Sequence, residues 1–264
     1  MELTVLGAGP AYTDRPGASG ACYLVRDVGG AILLDLGQGS FPRIFEHVEP
    51  SALAGILISH LHPDHFVDLV PLRHYLRFEF SPSRRMPVHA DAGLTERLDG
   101  LHGDRGFTAA ALDVVPLAVG MRTVGPFEVE AIRVTHTADS YAFRVAPAPG
   151  PVPGADAGSS GVEAPSGAAL VYSGDVGLAD DLVPLIHPGD TLLVEVSFGP
   201  GPSDPAAQHL DGSEVGRIAV ATRAGRVLLT HLQMGNDAEE TIRSVKARYG
   251  GPVTLVEPGF RTET

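Results

Sequence analysis

ISHLHPDHFVD, residues 58 to 68, places three histidines and two aspartates in eleven positions, immediately after the apolar run "GIL". In an extended or looped segment alternate side chains point the same way, so His60 and His62 can reach one metal ion. Asp64 and His65 follow in the turn that enters a helix, and can face a second ion beside the first. Asp68 lies about one turn further on and reads as a surface or packing residue. Imidazole and carboxylate ligands without a thiolate suit zinc, with manganese or iron as the other options.

The same termination recurs along the chain. "GILISH" ends at His60, "EAIRVTH" at His136, "ALVYSGD" at Asp175, "RVLLTH" at His231, "AILLDLG" at Asp35 and "TLLVEVS" at Glu195. Each is an apolar strand-like run carrying a ligand-type side chain at its end. Sites in α/β sheets form outside the carboxyl ends of strands, so these residues are expected to converge. Two pairs of segments also resemble each other, "GAILLDLG" with "GAALVYSGDVG" and "GILISHLH" with "RVLLTHLQ", a faint repeat that suggests two similar halves.

Composition limits what such a centre can serve. The chain has 264 residues, 44% hydrophobic and 19% charged, enough to bury a sizeable core in one α/β domain over residues 1–264. The net charge of −13 argues against a surface built to neutralise a nucleic-acid backbone. It leaves room for a small anionic substrate, because a bound metal inverts the local potential. The single cysteine, Cys22, falls in the strand-like "ACYLV" and reads as a core thiol. There is no basic leader and no run near 18 apolar residues, so no membrane span is expected and a cytoplasmic location is. One segment is loop-like: "APAPGPVPGADAGSSGVEAPSGA", 146–168, reads as a flexible surface insertion between two strands of one sheet system.

Helical patterns are expected near 41–48, 64–79 with a kink at Pro71, 91–101, 178–186, 212–224 and 236–249. Asp211 three residues before Glu214 marks the start of the fifth. "GAGPAY", 7–12, lacks the third glycine of a dinucleotide loop and reads as a tight turn near the metal cleft. His47 and His74 fall on helical patterns as surface or end residues, and His187 before Pro188 marks a helix end. The loop 102–108, with His102, could lie over the cleft. Arg73, Arg77, Arg84 and Arg85 form a small basic group on a solvated face. Glu195 is expected to make structural hydrogen bonds at its strand end.

Taken together, Asp35 in "LLDLG", His-x-His-x-Asp-His at 60–65, His136 in "THTADSYAFR", Asp175 in "YSGDVG" and His231 in "LLTH" resemble the metallo-β-lactamase superfamily, in order and in strand-end placement. The resemblance implies an α/β fold: a four-layer αββα sandwich, two mixed β-sheets flanked by helices. It also implies two divalent metal ions, most simply Zn²⁺, in the cleft between the sheets. His60, His62 and His136 would hold one ion, and Asp64, His65 and His231 the other. Asp175 would bridge them, and Asp35 would fix the loop without binding metal.

His209 in "QHLDGSEVGRIA", followed by a helix rich in small residues and then "LLTH", resembles the ribonuclease Z-like and phosphodiesterase-like branch. There such a histidine acts as general acid or contacts the transition state, and Asp64 orients the attacking water. Val176 after Asp175, and Ala142-Phe143 after the His136 motif, depart from the family's usual hydroxyl residue and Gly-Tyr pair. The branch implies a homodimer. Family members that process tRNA carry their gripping arm between the His136 and Asp175 motifs. Here that segment has no Lys or Arg and carries Asp156 and Glu163. A small phosphodiester such as a cyclic nucleotide is therefore expected, with nucleic acid disfavoured. A tRNA 3′-processing endonuclease and a lactone or thioester hydrolase on the same fold are the alternatives.

Overall fold

Short β-branched and leucine-rich runs pair into two sheets of seven strands, and most remaining apolar surface is covered by helices. The computed structural model describes residues 1–149, 168–204, 206 and 208–264. The core of the 146–168 insertion lies outside the described residues.

The first sheet contains β1 (Glu2–Gly7), β2 (Cys22–Asp27), β3 (Gly30–Leu34), β4 (Gly55–Leu57), β5 (Met86–Ala90), β6 (Leu112–Pro116) and β14 (Arg261–Glu263), in the order β14-β1-β2-β3-β4-β5-β6. The second contains β7 (Gly120–Val124), β8 (Phe127–Val134), β9 (Ser140–Pro147), β10 (Leu170–Tyr172), β11 (Thr191–Glu195), β12 (Arg226–Thr230) and β13 (Val253–Leu255), in the order β13-β12-β11-β10-β9-β8-β7. In the first sheet the pairs from β14 to β3 are antiparallel and those from β3 to β6 parallel. In the second, β7 to β10 are antiparallel and β10 to β13 parallel. The sheets therefore match strand for strand, β3 with β10 and β4 with β11. "GAILLDLG" and "GAALVYSGDVG" occupy matching strands. "GILISHLH" and "RVLLTHLQ" do not: they contain β4 and β12, and β4 corresponds to β11.

The layers follow from side-chain alternation. Leu3, Tyr23, Ile32 and Leu57 of one sheet meet Phe127, Val129, Phe143 and Tyr172 of the other in a fully buried middle layer. The opposite face of the first sheet packs against α3 (Leu69–Phe78) and α4 (Leu94–His102), through Leu72, Leu76, Leu94 and Leu98. The outer face of the second packs against α5 (Gly212–Thr222) and α6 (Ala238–Lys246), through Val215, Ile218 and Val245. Each such buried Leu, Ile or Phe contributes roughly 1.5–3 kcal/mol. This is the helix–sheet–sheet–helix sandwich expected. Cys22 is buried in the first outer layer. Among the described residues no helix is long and apolar enough to cross a membrane.

Several local expectations are corrected. The 64–79 helix is two, α2 (Pro63–Phe66) and α3, and the break falls at Val67-Asp68 rather than Pro71. Pro71 lies in the first turn of α3, where a missing N–H costs nothing. Asp68 takes the packing role of the two expected for it: it is partly buried at the start of α3 and accepts from Phe41 N at 2.8 Å, which ties α3 to α1 (Phe41–Ile44). Residues 178–186 form only a short 3₁₀ turn, Ala179–Leu182. The 102–108 loop is anchored by its aromatic residue. Its Phe107 is fully buried, stacks on His102 and lies under the Arg73 guanidinium, which donates to Phe107 O at 2.7 Å. Arg73 is accordingly buried and structural, whereas Arg77, Arg84 and Arg85 lie on an exposed face as expected, Arg85 paired with Asp113.

Candidate metal centre

The turn from β4 into α2 delivers four of the polar side chains, and its shape is set by its neighbours. His62 is extended, at φ −80° and ψ 143°, as a residue before proline must be, and Pro63 opens the helix. The carbonyl of Asp64 accepts from Ala21 N at 3.0 Å, and that of His65 from Leu36 N at 2.7 Å. A Cβ on Gly37 would stand 1.8 Å from Asp64 O, so only glycine lets the β3 loop approach this closely. The loop after β12 is held in turn by His231 N, which donates to Ala8 O at 3.0 Å. The "GAGPAY" turn thus borders the site, as expected.

His60, His62, His136 and Asp175 converge, and so do Asp64, His65, Asp175 and His231; each set can hold a metal ion. His62 Nδ1 lies 2.9 Å from His60 Nε2 and 3.1 Å from His136 Nε2. His231 Nε2 lies 3.1 Å from Asp64 Oδ2. Asp175 divides itself between the sets: Oδ1 is 3.4 Å from His65 Nε2, and Oδ2 is 3.8 Å from both His60 Nε2 and His136 Nε2. All are buried or partly buried except His62, which is exposed at the mouth.

The ring nitrogens facing away from the centre are occupied. His136 Nδ1–H donates to Gln208 O at 2.7 Å, and His65 Nδ1–H to Asp35 Oδ2 at 2.7 Å. His60 and His231 use Nδ1 toward Ser59 Oγ and Ser197 Oγ, at 3.2 and 3.0 Å. In the neutral form of each of these four rings the bond at Nδ1 leaves Nε2 free toward the centre, the form a metal requires.

Two buried atoms, His65 Nε2 and Asp175 Oδ1, have no hydrogen-bond partner, a costly omission unless a cation completes them. The electrostatics agree. Burial opposes charge on His65, yet Asp175 and Asp35 hold its imidazolium well above the ordinary histidine range. Burial also opposes charge on Asp175, but His231 and His65 hold its carboxyl well below the ordinary carboxylate range. His60 is pushed well below the ordinary range by burial and by the charge on His65. Cations within reach of Asp175 would satisfy both orphaned atoms, so the donor set fits divalent metal.

Asp35 touches no ligand position directly except through His65: its Oδ1 accepts from Ser59 N at 2.6 Å, and its Oδ2 from Ser59 Oγ and Tyr172 Oη. His209 lies in the loop before α5, with Nδ1 2.9 Å from Glu195 Oε1 and 3.9 Å from Asp175 Oδ2. Burial works against a charge on His209, but the Glu195 hydrogen bond wins and raises its pKa. Glu195 therefore does more than brace its strand end, although it also accepts from Val176 N and Ser197 N. Ser59, Ser197 and Tyr172 had no sequence signal beyond lying at strand ends beside the ligand-type residues.

A chain of this topology with two imidazole–carboxylate sets between its sheets belongs to the metallo-β-lactamase class of folds. The β-lactamase superfamily domain model matches residues 32–232, and the chain is a member of that superfamily. A Mycobacterium tuberculosis protein, Rv1339, is 29% identical over 268 residues, covering 97% of this chain and 89% of its own length. The probable metallo-hydrolase YhfI of Bacillus subtilis is 27% identical over 268 residues, covering 98% of each. The crystal structure of YhfI superposes with a TM-score of 0.81 at 22% identity over 99% of both chains. Human tRNase Z, short form, superposes with a TM-score of 0.72 at 21% identity, covering 100% of this chain and 99% of its own.

Proposed function

We propose that the chain is a binuclear metallohydrolase acting on a small phosphodiester such as a cyclic nucleotide. In this reading His60, His62 and His136 would hold one Zn²⁺ ion, Asp64, His65 and His231 a second, and Asp175 would serve both. Two such cations, when bound, activate water near neutral pH and neutralise charge on a phosphoryl group.

The chain's own residues supply the rest. Asp64 accepts a hydrogen bond from the attacking water and orients it. His209 commits Nδ1–H to Glu195, which leaves Nε2 as the nitrogen able to protonate a leaving alkoxide or meet its developing charge. The raised pKa of His209 keeps that proton available, and general-acid help of this kind is worth roughly 10²–10⁴ in rate.

The observation that carries the reading is the placement of His209 on Glu195, 3.9 Å from the carboxylate shared by the two sets. A thioester, which expels a thiolate stable near neutral pH, needs no such acid group beside the centre. Preference for a small substrate is supported by the surface around the site. The groove running from Leu61 and Thr137 is bordered by Asp91, Glu96 and Asp139 against Arg97, an acidic excess that disfavours a long polyanion. The segment 146–168 likewise carries no Lys or Arg. Ribonuclease activity is the second reading, favoured by the sequence match to ribonuclease Z of Halobacterium salinarum, 24% identical over 299 residues.

The deciding experiment measures bound metal, then compares an activated phosphodiester, cyclic AMP, a tRNA precursor, a lactone and a thioester on one preparation. Turnover of cyclic AMP or the activated diester is expected. Good turnover of lactone or thioester alone would refute the proposal, and selective tRNA cleavage would establish the second reading.

A further inference from the structure

One hydrogen-bonding device occurs twice around the centre. On the first sheet, Asp35 accepts both the N–H and the O–H of Ser59, at 2.6 and 2.7 Å, and Ser59 Oγ in turn accepts from His60 Nδ1–H at 3.2 Å. On the second sheet, Glu195 Oε2 accepts both the N–H and the O–H of Ser197, at 3.0 and 2.6 Å, and Ser197 Oγ accepts from His231 Nδ1–H at 3.0 Å. Ser59 and Ser197 each stand two residues beyond the end of a strand, and those strands, β4 and β11, are the matching members of their sheets. Each carboxylate also takes one further histidine directly, Asp35 from His65 at 2.7 Å and Glu195 from His209 at 2.9 Å.

The direction of these bonds is fixed by chemistry. Both carboxylates are acceptors only, so each serine must spend its one proton on its carboxylate. The serine oxygen can then only accept, which forces the proton of the neighbouring imidazole onto Nδ1 and leaves Nε2 bare toward the centre. Ser59 and Ser197 are both fully buried, so water cannot take over this role at little cost.

We propose that Ser197 is the positioning residue of His231, and that through it Glu195 is a single anchor shared by His231 and His209. Retention of one metal ion and the placement of His209 are then linked through one carboxylate. The inference rests on the ligand sets proposed above, but not on the identity of the substrate. Loss of a partner of this kind weakens metal affinity by roughly 10–100-fold.

The test is zinc binding by the full-length protein, with both dissociation constants read by competition against a chromophoric chelator, and with the absorption bands of the cobalt-loaded protein. Ser197→Ala is expected to weaken one ion by about 10-fold or more, shift the cobalt bands of that site and leave the other ion unchanged. Ser197→Thr, which keeps the hydroxyl, is expected to restore binding. Glu195→Gln, isosteric and less disruptive to folding, is expected to weaken the same ion. Unchanged affinity for both ions in Ser197→Ala and Glu195→Gln overturns the proposal, as does equal weakening of both ions. His231→Ala separates the two levels: if it too leaves both ions bound, the ligand sets themselves are wrong.

Discussion

Tyr172 and Asp35, 137 positions apart in the chain, meet across the two sheets with the phenol oxygen 2.5 Å from Oδ2. The same carboxylate oxygen receives His65 Nδ1–H and Ser59 Oγ–H, so one buried atom gathers three donors from two segments. Removing the carboxylate would strand all three. Asp35→Ala is expected to cost about 3–5 kcal/mol, the range for breaking a buried charged network. Tyr172→Phe, which removes one donor to an ion, is expected to cost about 1.5–3 kcal/mol. Urea unfolding of metal-free protein measures both, and a cost below about 1 kcal/mol for Asp35→Ala would show that the network adds little.

Among the described residues Asp175 belongs both to the set of His60, His62 and His136 and to that of Asp64, His65 and His231. Asp175→Ala is therefore expected to lower total bound zinc further than His62→Ala, whose side chain belongs to one set and is exposed at the mouth. Elemental analysis after dialysis decides the point. Two retained ions in Asp175→Ala would remove the bridging role.

His209 lies outside both proposed ligand sets. His209→Ala is expected to keep its zinc and lose roughly 10²–10⁴ of its turnover, mostly in kcat. Metal-replete protein with undiminished kcat would take away its assigned role as acid.

Asp211 caps α5 and accepts from Ser213 N and Glu214 N at 2.8 and 3.1 Å, as the spacing to Glu214 led one to expect. The box is not reciprocal, because Glu214 turns instead to Arg217. Burial raises the Asp211 carboxyl, but hydrogen bonds from Ser213 and Ser203 outweigh it and lower its pKa. A lowered folded value stabilises the protein above the ordinary aspartate range, and that stability is lost as pH falls through it. Asp211→Ala is expected to cost about 1 kcal/mol at neutral pH, with the gap from the parent shrinking below about pH 4. Thermal melts at both pH values read this; a gap that widens in acid would contradict it.

The strand-end residues were legible because parallel strands share one carboxyl edge, and a polar residue closing an apolar run is visible in one dimension. His60, His136, Asp175 and His231 were found this way. Which carboxylate meets which imidazole was not legible, because Asp35 reaches Tyr172 and Glu195 reaches His209 only once the sheets are stacked. Arg73 departs from expectation for the same reason: its polarity suggests solvent, but it satisfies the Phe107 carbonyl at a junction between elements. The helix expected at 178–186 is one turn because Ala179, Leu182, Leu185 and Ile186 answer to packing on the second sheet rather than to a helical repeat, while Leu178 and Val183 stay exposed.

β14 pairs with β1, so the first sheet takes its outer strand from the far end of the chain. The candidate ligands run from residue 60 to residue 231, and neither histidine set is complete within a single sheet. Such long-range pairings make folding slow, since each loop must close before its contacts repay the lost entropy. During synthesis a metal ion would meet the HxHxDH loop long before His136, Asp175 or His231 existed. Tight binding would therefore be a late event, a check that the whole sandwich has closed rather than a seed on which it grows.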